Sequence, residues 1–313
     1  MDGIALSQED IDRIACSSGW RQRRIEVFDT AAGKVLVKGQ RGRRSQLLYR
    51  LLNAAAQVIG LPCLKAVPMH GGARAQQIEV ARLRALHQAG VRVPRVLYVA
   101  PDYFVMQWLG GEQLGTLLQA KPPVPAALAV WREAGDMLVR LHACGQYLSQ
   151  CFARNLIVDT ARQPPRLAGA IDFEDDALEV MNLAEAQTRD WLDFLHSTLW
   201  MVPLPPAQID AQLDAWMEQE NQAVRGQLLQ TARKVGWLRH LPRWRCLGRD
   251  TLALQGCAAA TYRFAMGRDA RGRVRARRDT PRTDRGGEEN STDKVAPAPE
   301  VSLRAAKTPP DGT

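Results

Sequence analysis

The spacing of apolar residues in the first third of the chain predicts short strands interrupted by helices. Residues 24–29 (RIEVFD) and 34–38 (KVLVK) surround a TAAG turn, so we predict a β-hairpin in which Gly33 supplies the turn geometry. Residues 91–99 (VRVPRVLYV) and 103–108 (YFVMQW) indicate two further strands, and a proline interrupts the first of them.

Two segments between these strands have helical spacing instead. Residues 45–60 (SQLLYRLLNAAAQVIG) form an amphipathic pattern that stops at Gly60 and Pro62, which are common helix terminators. Residues 75–89 (AQQIEVARLRALHQA) repeat their apolar positions at helical intervals and stop at Gly90.

Beyond Gly111 the spacing becomes mainly helical. The predicted helices are residues 125–143, 185–200, 206–235 and about 249–266. Two short strands interrupt them, residues 156–159 (LIVD) and 167–173 (LAGAIDF), joined by the turn-forming TARQPP. The whole pattern predicts an α+β protein with a small β-rich N-terminal lobe and a larger helical C-terminal lobe.

The same changes of pattern place the domain boundaries. We assign residues 1–110 to the small lobe and residues 111–266 to the helical lobe, joined near residues 107–111. Ligands commonly bind in the cleft between two such lobes. Residues 267–313 contain almost no large apolar side chains, so we expect a disordered tail, because such a segment cannot bury enough surface to offset its ordering entropy.

Composition favours a soluble globular protein with an anionic partner. The chain has 46% hydrophobic and 24% charged residues, and its six cysteines form no CxxC pair. The start lacks the apolar core of a secretory signal, and no apolar run reaches ~18 residues, so we expect a cytoplasmic protein. The positive charge behind the net charge of +9 is concentrated in residues 21–50 and 271–278. This charge suits an anionic partner, such as nucleotide phosphates, lipid head groups or nucleic acid, but it could also be a solvated surface without a partner.

Four polar positions carry the candidate chemistry. Lys38 ends an apolar strand, Glu79 lies on a predicted helix, and Asn155 and Asp172 flank the predicted strands of the second lobe. Phosphoryl transfer needs this set of groups: a lysine for phosphate oxygens, a carboxylate to orient it, and Asn and Asp oxygens for magnesium.

The segment YLSQCFARNLIVD, residues 147–159, departs from that chemistry at one position. It delivers Asn155 to the start of a buried strand, as a phosphate-handling loop would. Five residues earlier, where such a loop would carry a carboxylate, it has Gln150. An amide cannot take a proton as a carboxylate does.

These motifs in this order resemble the protein-kinase-like fold, and within it the bacterial lipopolysaccharide (Kdo/heptose) kinases and their relatives. The resemblance covers about residues 15–200. The segments that carry it are VLVK (35–38), the helix with Glu79, GVRVPRVL (90–97), VMQWLGGEQL (105–114), LHACGQYLSQCFARN (141–155) and IDFE (171–174).

The resemblance implies a role for each matching position. Lys38 would bind the α- and β-phosphates of ATP and pair with Glu79, and the backbone of Gln107, Trp108 and Leu109 would meet the adenine. Asn155 and Asp172 would hold Mg²⁺.

The resemblance also implies that the catalytic residues lie in the loop of residues 147–159 and next to it. Catalysis would involve Gln150, Arg154, Asn155 and Asp172, with Arg154 stabilising the charge of the transferred phosphoryl group. Because Gln150 replaces the usual aspartate, Glu174 or Asp175 is a candidate substitute base.

Each of these residues also has a structural interpretation. Lys38 could extend into water, Glu79 could be a solvated surface charge, and Lys65 is a rival lysine. Asn155 could cap a turn, and Asp172 could be a satisfied buried carboxylate.

Three hypotheses follow for the function. The first is an ATP-dependent phosphotransferase that acts on a hydroxyl acceptor, either a lipopolysaccharide-like sugar or a protein. The second is a pseudokinase, a nucleotide-binding or scaffolding module. The third uses the basic charge of residues 41–60 for peripheral contact with the inner face of the membrane. Nucleic acid is the weakest candidate partner, because no RNA- or DNA-binding motif accompanies the charge.

Overall fold

The computed structural model describes residues 6–31, 33–42, 60–120, 124–241 and 248–279. The chain divides into two units, Met1–Arg271 and Gly272–Thr313, and both lobes lie in the first. This unit is α+β, with a β-sheet N-terminal part and a mostly helical C-terminal part, which confirms the predicted fold class.

The small lobe is built on a four-stranded antiparallel sheet. Its strands are β1 (Ile25–Thr30), β2 (Gly33–Gly39), β3 (Val96–Val99) and β4 (Tyr103–Gln107), in the order β1–β2–β4–β3. Strands β1 and β2 form the predicted hairpin, and Gly33 takes the positive φ of 94° that the turn requires. Among the described residues, the α-helices of this lobe are α1 (Gln8–Cys16), α2 (Gly19–Arg23) and α3 (Gly72–Gln88).

The alternation of side chains along β2 determines the direction of Lys38. Val35 and Val37 pack with Trp20 in a small apolar cluster on one face of the sheet. Leu36 joins the large apolar core on the other face. Because successive side chains of a strand point to opposite faces, Lys38 leaves the sheet on the same side as Leu36, toward α3.

The second lobe packs helices around a short three-stranded sheet. Its strands are β5 (Glu112–Gln113), β6 (Leu156–Asp159) and β7 (Arg166–Ala170), and its helices are α4 (Leu114–Gln119), α5 (Val124–Ala143), α6 (Leu183–Thr198), α7 (Pro206–Gln219), α8 (Gln222–Val235) and α9 (Gly248–Asp279). Trp131, Trp191 and Trp216 are fully buried and form the centre of the lobe together with Phe194.

Two glycines allow the connection between the lobes to lie close to the second sheet. A Cβ on Gly111 would come within 2.0 Å of the Val158 carbonyl oxygen, and one on Gly169 would come within 2.4 Å of the Arg92 carbonyl oxygen. Gly111 also has a φ of 84°, which other residues rarely adopt. A larger residue at position 111 would push the inter-lobe connection away from β6, and one at position 169 would push the Arg92 backbone away from β7.

The single helix predicted over residues 206–235 is wrong. The structure has two helices, α7 and α8, separated at Glu220 and Asn221. Glu220 has an extended backbone and a buried side chain, and the Asn221 side chain caps α8 by accepting from the Ala223 amide. The apolar spacing continues through this break, so the pattern alone did not reveal it.

Other boundaries shift by a few residues. Strand β3 begins only at Val96, beyond Pro94, and β7 ends at Ala170, so that Asp172 lies in the loop that follows. Helix α9 continues to Asp279, past the predicted boundary at residue 266. Most of the predicted helix over 45–60, and residues 280–313 of the predicted tail, lie outside the described residues. The division into lobes at residue 110 stays a prediction.

Candidate functional site

Lys38 is the centre of a buried cluster of charges contributed by both lobes. Its Nζ lies 2.7 Å from Glu79 Oε1 on α3, 2.8 Å from Glu174 Oε1 and 3.0 Å from Asp172 Oδ1. Lys38 is only 5% exposed, so the ammonium is not extended into water. An ammonium group has three hydrogen-bond donors, and the three carboxylates are sufficient to use all of them.

The cluster keeps Lys38 charged. Burial by itself lowers the pKa of Lys38, but the negative charges of Glu79, Asp172 and Glu174 outweigh burial and raise the pKa above its ordinary value. Burial raises the pKa of Glu79, and the charge of Lys38 opposes that shift. Since Glu79 is 2% exposed, it is not a solvated surface charge. The rival Lys65 lies elsewhere and donates to the Val180 carbonyl at 3.1 Å.

Glu174 is more deeply involved in the site than the sequence suggested. The Arg24 guanidinium donates to its Oε1, and Arg41 Nη1 lies 3.5 Å from its Oε2. Together with Lys38, these arginines surround one carboxylate with three cations. Glu174 could be noticed in IDFE, but no sequence signal connects it to Arg24, which is 150 residues away.

The environment of Glu174 makes stability depend on pH in a predictable direction. Burial raises the pKa of Glu174, but Lys38 and Arg24 outweigh burial and lower it from 4.5 to about 2. A lowered folded-state pKa stabilises the protein above pH 4.5, and this contribution disappears as the pH falls toward about 2.

We therefore expect Glu174→Gln to reduce the free energy of unfolding by roughly 3 kcal/mol at pH 7. The difference between the variant and the wild type should shrink when urea unfolding is repeated near pH 3.5. An equal loss at both pH values would show that the charge of Glu174 is not responsible.

The loop before β6 presents Asn155 and Gln150 to the same region. Asn155 lies in a 3-10 turn, Ala153–Asn155, directly before β6, and it is buried. Its Nδ2 donates to the Gln150 main-chain carbonyl at 3.0 Å. The side-chain nitrogen of Asn155 therefore already has a partner within the loop, and Oδ1 is the side-chain atom that can bind a cation.

Asp190 on α6 holds the loop through its backbone. Its Oδ2 accepts from the Leu148 amide at 2.6 Å, and its Oδ1 accepts from the Ser149 amide at 2.9 Å. His142 lies between Asp190 and Glu220, with Nδ1 at 2.7 Å from Glu220 Oε2. Burial lowers the pKa of His142, but its bonds to these two carboxylates outweigh burial and raise the pKa.

Three residues of the site adopt a left-handed backbone without being glycine, and Arg24 is the first of them, with a φ of 72°. Ser149 has a φ of 75° and Asp172 a φ of 71°. Each conformation costs about 1–2 kcal/mol, and it persists only where the surroundings fix it. For Ser149 the surroundings are Asp190, which accepts from its amide, and Arg189, whose Nε donates to its carbonyl at 3.2 Å.

The donor set of Asn155 and Asp172 suits magnesium. Mg²⁺ prefers oxygen ligands, and proteins usually hold it by one or two carboxylates, with substrate phosphates and water as the other ligands. Within the described ranges, no group of three or more His, Cys, Asp and Glu side chains could hold a metal ion by itself. At Asn155 and Asp172, the phosphates of a nucleotide and water would supply the remaining ligands of a magnesium ion.

The connection between the lobes provides fewer backbone donors than the sequence implied. The Gln107 amide donates to the Arg95 carbonyl at 2.9 Å, and the Trp108 amide donates to the Lys34 carbonyl at 3.2 Å. An adenine at this connection would therefore meet the Leu109 amide and the main-chain carbonyl groups. The placement of adenine there stays a prediction.

Arg154 belongs to the same loop as Gln150 and Asn155. Its guanidinium stacks on the Phe152 ring, 4.2 Å from the ring centroid. Both residues line a cavity of about 240 Å³ that also contains His196, Trp200 and Arg249. Burial lowers the pKa of His196, so its imidazole is neutral at neutral pH.

Comparison with known proteins supports the same chemistry. Residues 14–151 match the model of the phosphotransferase enzyme family APH. The match covers less than half of the chain: it includes Lys38, Glu79 and Gln150 but ends before Asn155 and Asp172. No curated protein matches the sequence. Together with the α+β fold, the match supports a kinase-like phosphotransferase.

Proposed function

We propose that this protein is a magnesium- and ATP-dependent phosphotransferase of the lipopolysaccharide kinase-like type, which transfers the γ-phosphate of ATP to a hydroxyl group. One observation carries the proposal: the Lys38 ammonium lies within 3.0 Å of both Glu79 of the small lobe and Asp172 of the helical lobe. These three residues are far apart in the sequence, and phosphoryl transfer requires them together.

Each group has a defined task in this proposal. Lys38 binds phosphate oxygens, and Glu79 orients the ammonium. Asn155 and Asp172 hold magnesium, which, when bound, neutralises charge on the phosphates. A phosphate that binds Lys38 has to replace one of the three carboxylates around it. Glu174 is the one with other cations beside it, Arg24 and Arg41, so it can leave Lys38 without losing all its partners.

The cavity beside Arg154 is our candidate for the acceptor site. Trp200 offers an aromatic face of the kind that packs against sugar rings, and Gln113 and Gln119 offer amides for hydroxyl groups. Of the described residues that line the cavity, Arg154 and Arg249 are cationic and Asp250 is the one carboxylate. This balance favours a polyhydroxylated acceptor with a negative charge, such as a lipopolysaccharide-like sugar, over a cationic acceptor or a protein.

ADP release tests this assignment. Glucuronate, glucose and glucosamine share a ring but differ in charge, and we expect turnover with Mg·ATP to be fastest with glucuronate. Arg249→Gln should reduce the preference for glucuronate over glucose without changing ATP binding. A preference for glucosamine would contradict the proposed acceptor class.

A pseudokinase is the alternative, and Gln150 is the observation that favours it. If the chain binds Mg·ATP but releases no ADP with water or with any acceptor, the nucleotide site serves a binding or scaffolding role. The loose transition state of phosphoryl transfer depends mostly on positioning and charge, so loss of the usual base does not by itself abolish turnover.

Peripheral contact with a membrane stays a prediction. Of its proposed segment, residues 43–59 lie outside the described residues. Across the described ranges, no helix is both long enough and apolar enough to cross a membrane.

A further inference from the structure

Glu174 occupies a position beside Lys38 that a bound phosphate would need. Its Oε1 lies 2.8 Å from the Lys38 ammonium, and its side chain is 4% exposed. Burial raises the pKa of Glu174, but Lys38 and Arg24 outweigh burial and lower it to about 2, so the side chain is a carboxylate at neutral pH. With Glu79 at 2.7 Å and Asp172 at 3.0 Å, the three donors of the ammonium are all used. A phosphate can therefore reach Lys38 only by displacing a carboxylate.

The three carboxylates differ in what each would lose by leaving Lys38. Glu79 is buried, and among the described residues Lys38 is the hydrogen-bond partner of its carboxylate, so leaving would strand a buried charge. Asp172 is partly exposed, and the proposed function assigns it to magnesium at the phosphates. Glu174 is buried like Glu79, yet two further cations lie beside it. Glu174 is therefore the carboxylate that can leave the ammonium at the lowest cost in free energy.

Arg24 and Arg41 are held in place to receive that carboxylate. The Arg24 guanidinium donates to Glu174 Oε1, and Arg41 Nη1 lies 3.5 Å from Oε2. The Arg24 backbone has a φ of 72°, and its carbonyl accepts from the Gly39 amide at 2.7 Å. The Arg41 carbonyl accepts from the Gly72 amide at 2.7 Å. A guanidinium can bind both oxygens of one carboxylate, so a Glu174 that rotates off the ammonium keeps a charged partner.

We propose that Glu174 is an internal competitor of the nucleotide, whose carboxylate closes Lys38 in the free protein and moves onto Arg24 and Arg41 when a phosphate takes its place. This inference rests on the proposed phosphotransferase function. Arg24 is then a positioning residue: its guanidinium binds Glu174 and not the nucleotide, and so it determines how easily Lys38 is released. These contacts set the affinity for ATP, because each nucleotide that binds has to break the ion pair between Lys38 and Glu174.

Removing the competitor should tighten nucleotide binding. Glu174→Gln keeps the size of the side chain but removes its charge, so Lys38 is held less strongly. The affinity for Mg·ATP should rise about 10-fold, measured by calorimetry at neutral pH, although the same variant is expected to be less stable. A residue whose role is only structural would lose stability without binding the nucleotide more tightly.

A second substitution, at Arg24, separates competition from a general effect of charge. The four proteins are the wild type, Glu174→Gln, Arg24→Gln and the double variant. Without Arg24, the Glu174 carboxylate depends more on Lys38, so Arg24→Gln alone should weaken Mg·ATP binding about 10-fold. In the Glu174→Gln background there is no carboxylate to position, and Arg24→Gln should change the affinity by less than about twofold. Arg23→Gln removes the same charge from an exposed neighbour and should change the affinity in neither background.

Reduced stability does not prevent the comparison. Where a variant is too unstable for calorimetry, the rise in its unfolding temperature with saturating Mg·ATP reports its affinity, since a ligand that binds only the folded state stabilises that state. If Glu174→Gln does not fold, Glu174→Asp takes its place. It keeps the charge for the arginines but has a shorter side chain that reaches Lys38 less well, so it should also bind Mg·ATP more tightly than the wild type.

Two results would overturn the competition. One is a Glu174→Gln protein that binds Mg·ATP no more tightly than the wild type. The other is an Arg24→Gln effect of equal size in both backgrounds, which would mean that Arg24 contacts the phosphates directly. In either case the nucleotide site itself stands, because the wild type binds Mg·ATP. If none of the four proteins binds Mg·ATP, the proposed function fails as well.

Discussion

Replacing Lys38 with methionine is expected to weaken Mg·ATP binding about 100-fold. The variant keeps the length of the side chain but removes the ammonium that the phosphates would contact. Charge-assisted hydrogen bonds contribute about 1.5–3 kcal/mol each, and 1.4 kcal/mol corresponds to a tenfold change in affinity. Isothermal titration calorimetry measures the loss directly.

Lys34 provides a matched control on the same strand. It is a lysine of β2 with a side chain that is 62% exposed and a distant partner, Asp29, at 3.9 Å. Lys34→Met should leave the affinity for Mg·ATP unchanged, and circular dichroism should show that both variants are folded. Equal affinities for Lys38→Met and Lys34→Met would contradict the assignment of Lys38.

Replacing Asp190 with asparagine is expected to reduce both stability and turnover. The carboxylate accepts from two loop amides and lies 3.4 Å from His142, all of it buried. The side-chain NH2 of asparagine would face the Leu148 or Ser149 amide, and both groups are hydrogen-bond donors. The charged His142 would then keep Glu220 as its remaining carboxylate partner. A broken buried pair costs about 3–5 kcal/mol, so thermal unfolding should shift down by several degrees.

A partly exposed aspartate, Asp210, shows how much of that loss of stability is specific to Asp190. Asp210 pairs with Arg263 at 2.9 Å, and both side chains are partly exposed. Because surface pairs contribute about 0–1 kcal/mol, Asp210→Asn should change the unfolding temperature very little. If Asp190→Asn were no worse than Asp210→Asn, the buried network would not be what holds the loop.

The fold class and the main site residues could be predicted because their signals are local. Apolar spacing marks the β1–β2 hairpin and helices α3 and α5 within a few residues. Lys38, Glu79 and Asp172 stand out as polar side chains at the edges of apolar segments, and the fold does bring them together. Their roles in nucleotide binding stay predictions.

The remaining features depend on contacts that leave no local pattern. Glu220 interrupts the helical region because its side chain turns inward to His142 and Trp191, a pairing visible only in three dimensions. Strand β5 pairs with β6 but has only two residues, so it is too short to show an alternation of apolar and polar residues in the sequence. The position of Arg24 at Glu174 likewise follows from the packing of α2 against β1 and β2, and not from its neighbours in sequence.

The central claim is that Asp172 and Asn155 hold the magnesium of a bound nucleotide. Calorimetric titration of the wild type and Asp172→Asn with ATP, each with magnesium and again with EDTA, tests it most directly. We predict that the wild type binds ATP much more tightly with magnesium, and that Asp172→Asn shows the same weak affinity in both conditions. A wild-type affinity that is unaffected by magnesium, or no ATP binding at all, would contradict the account.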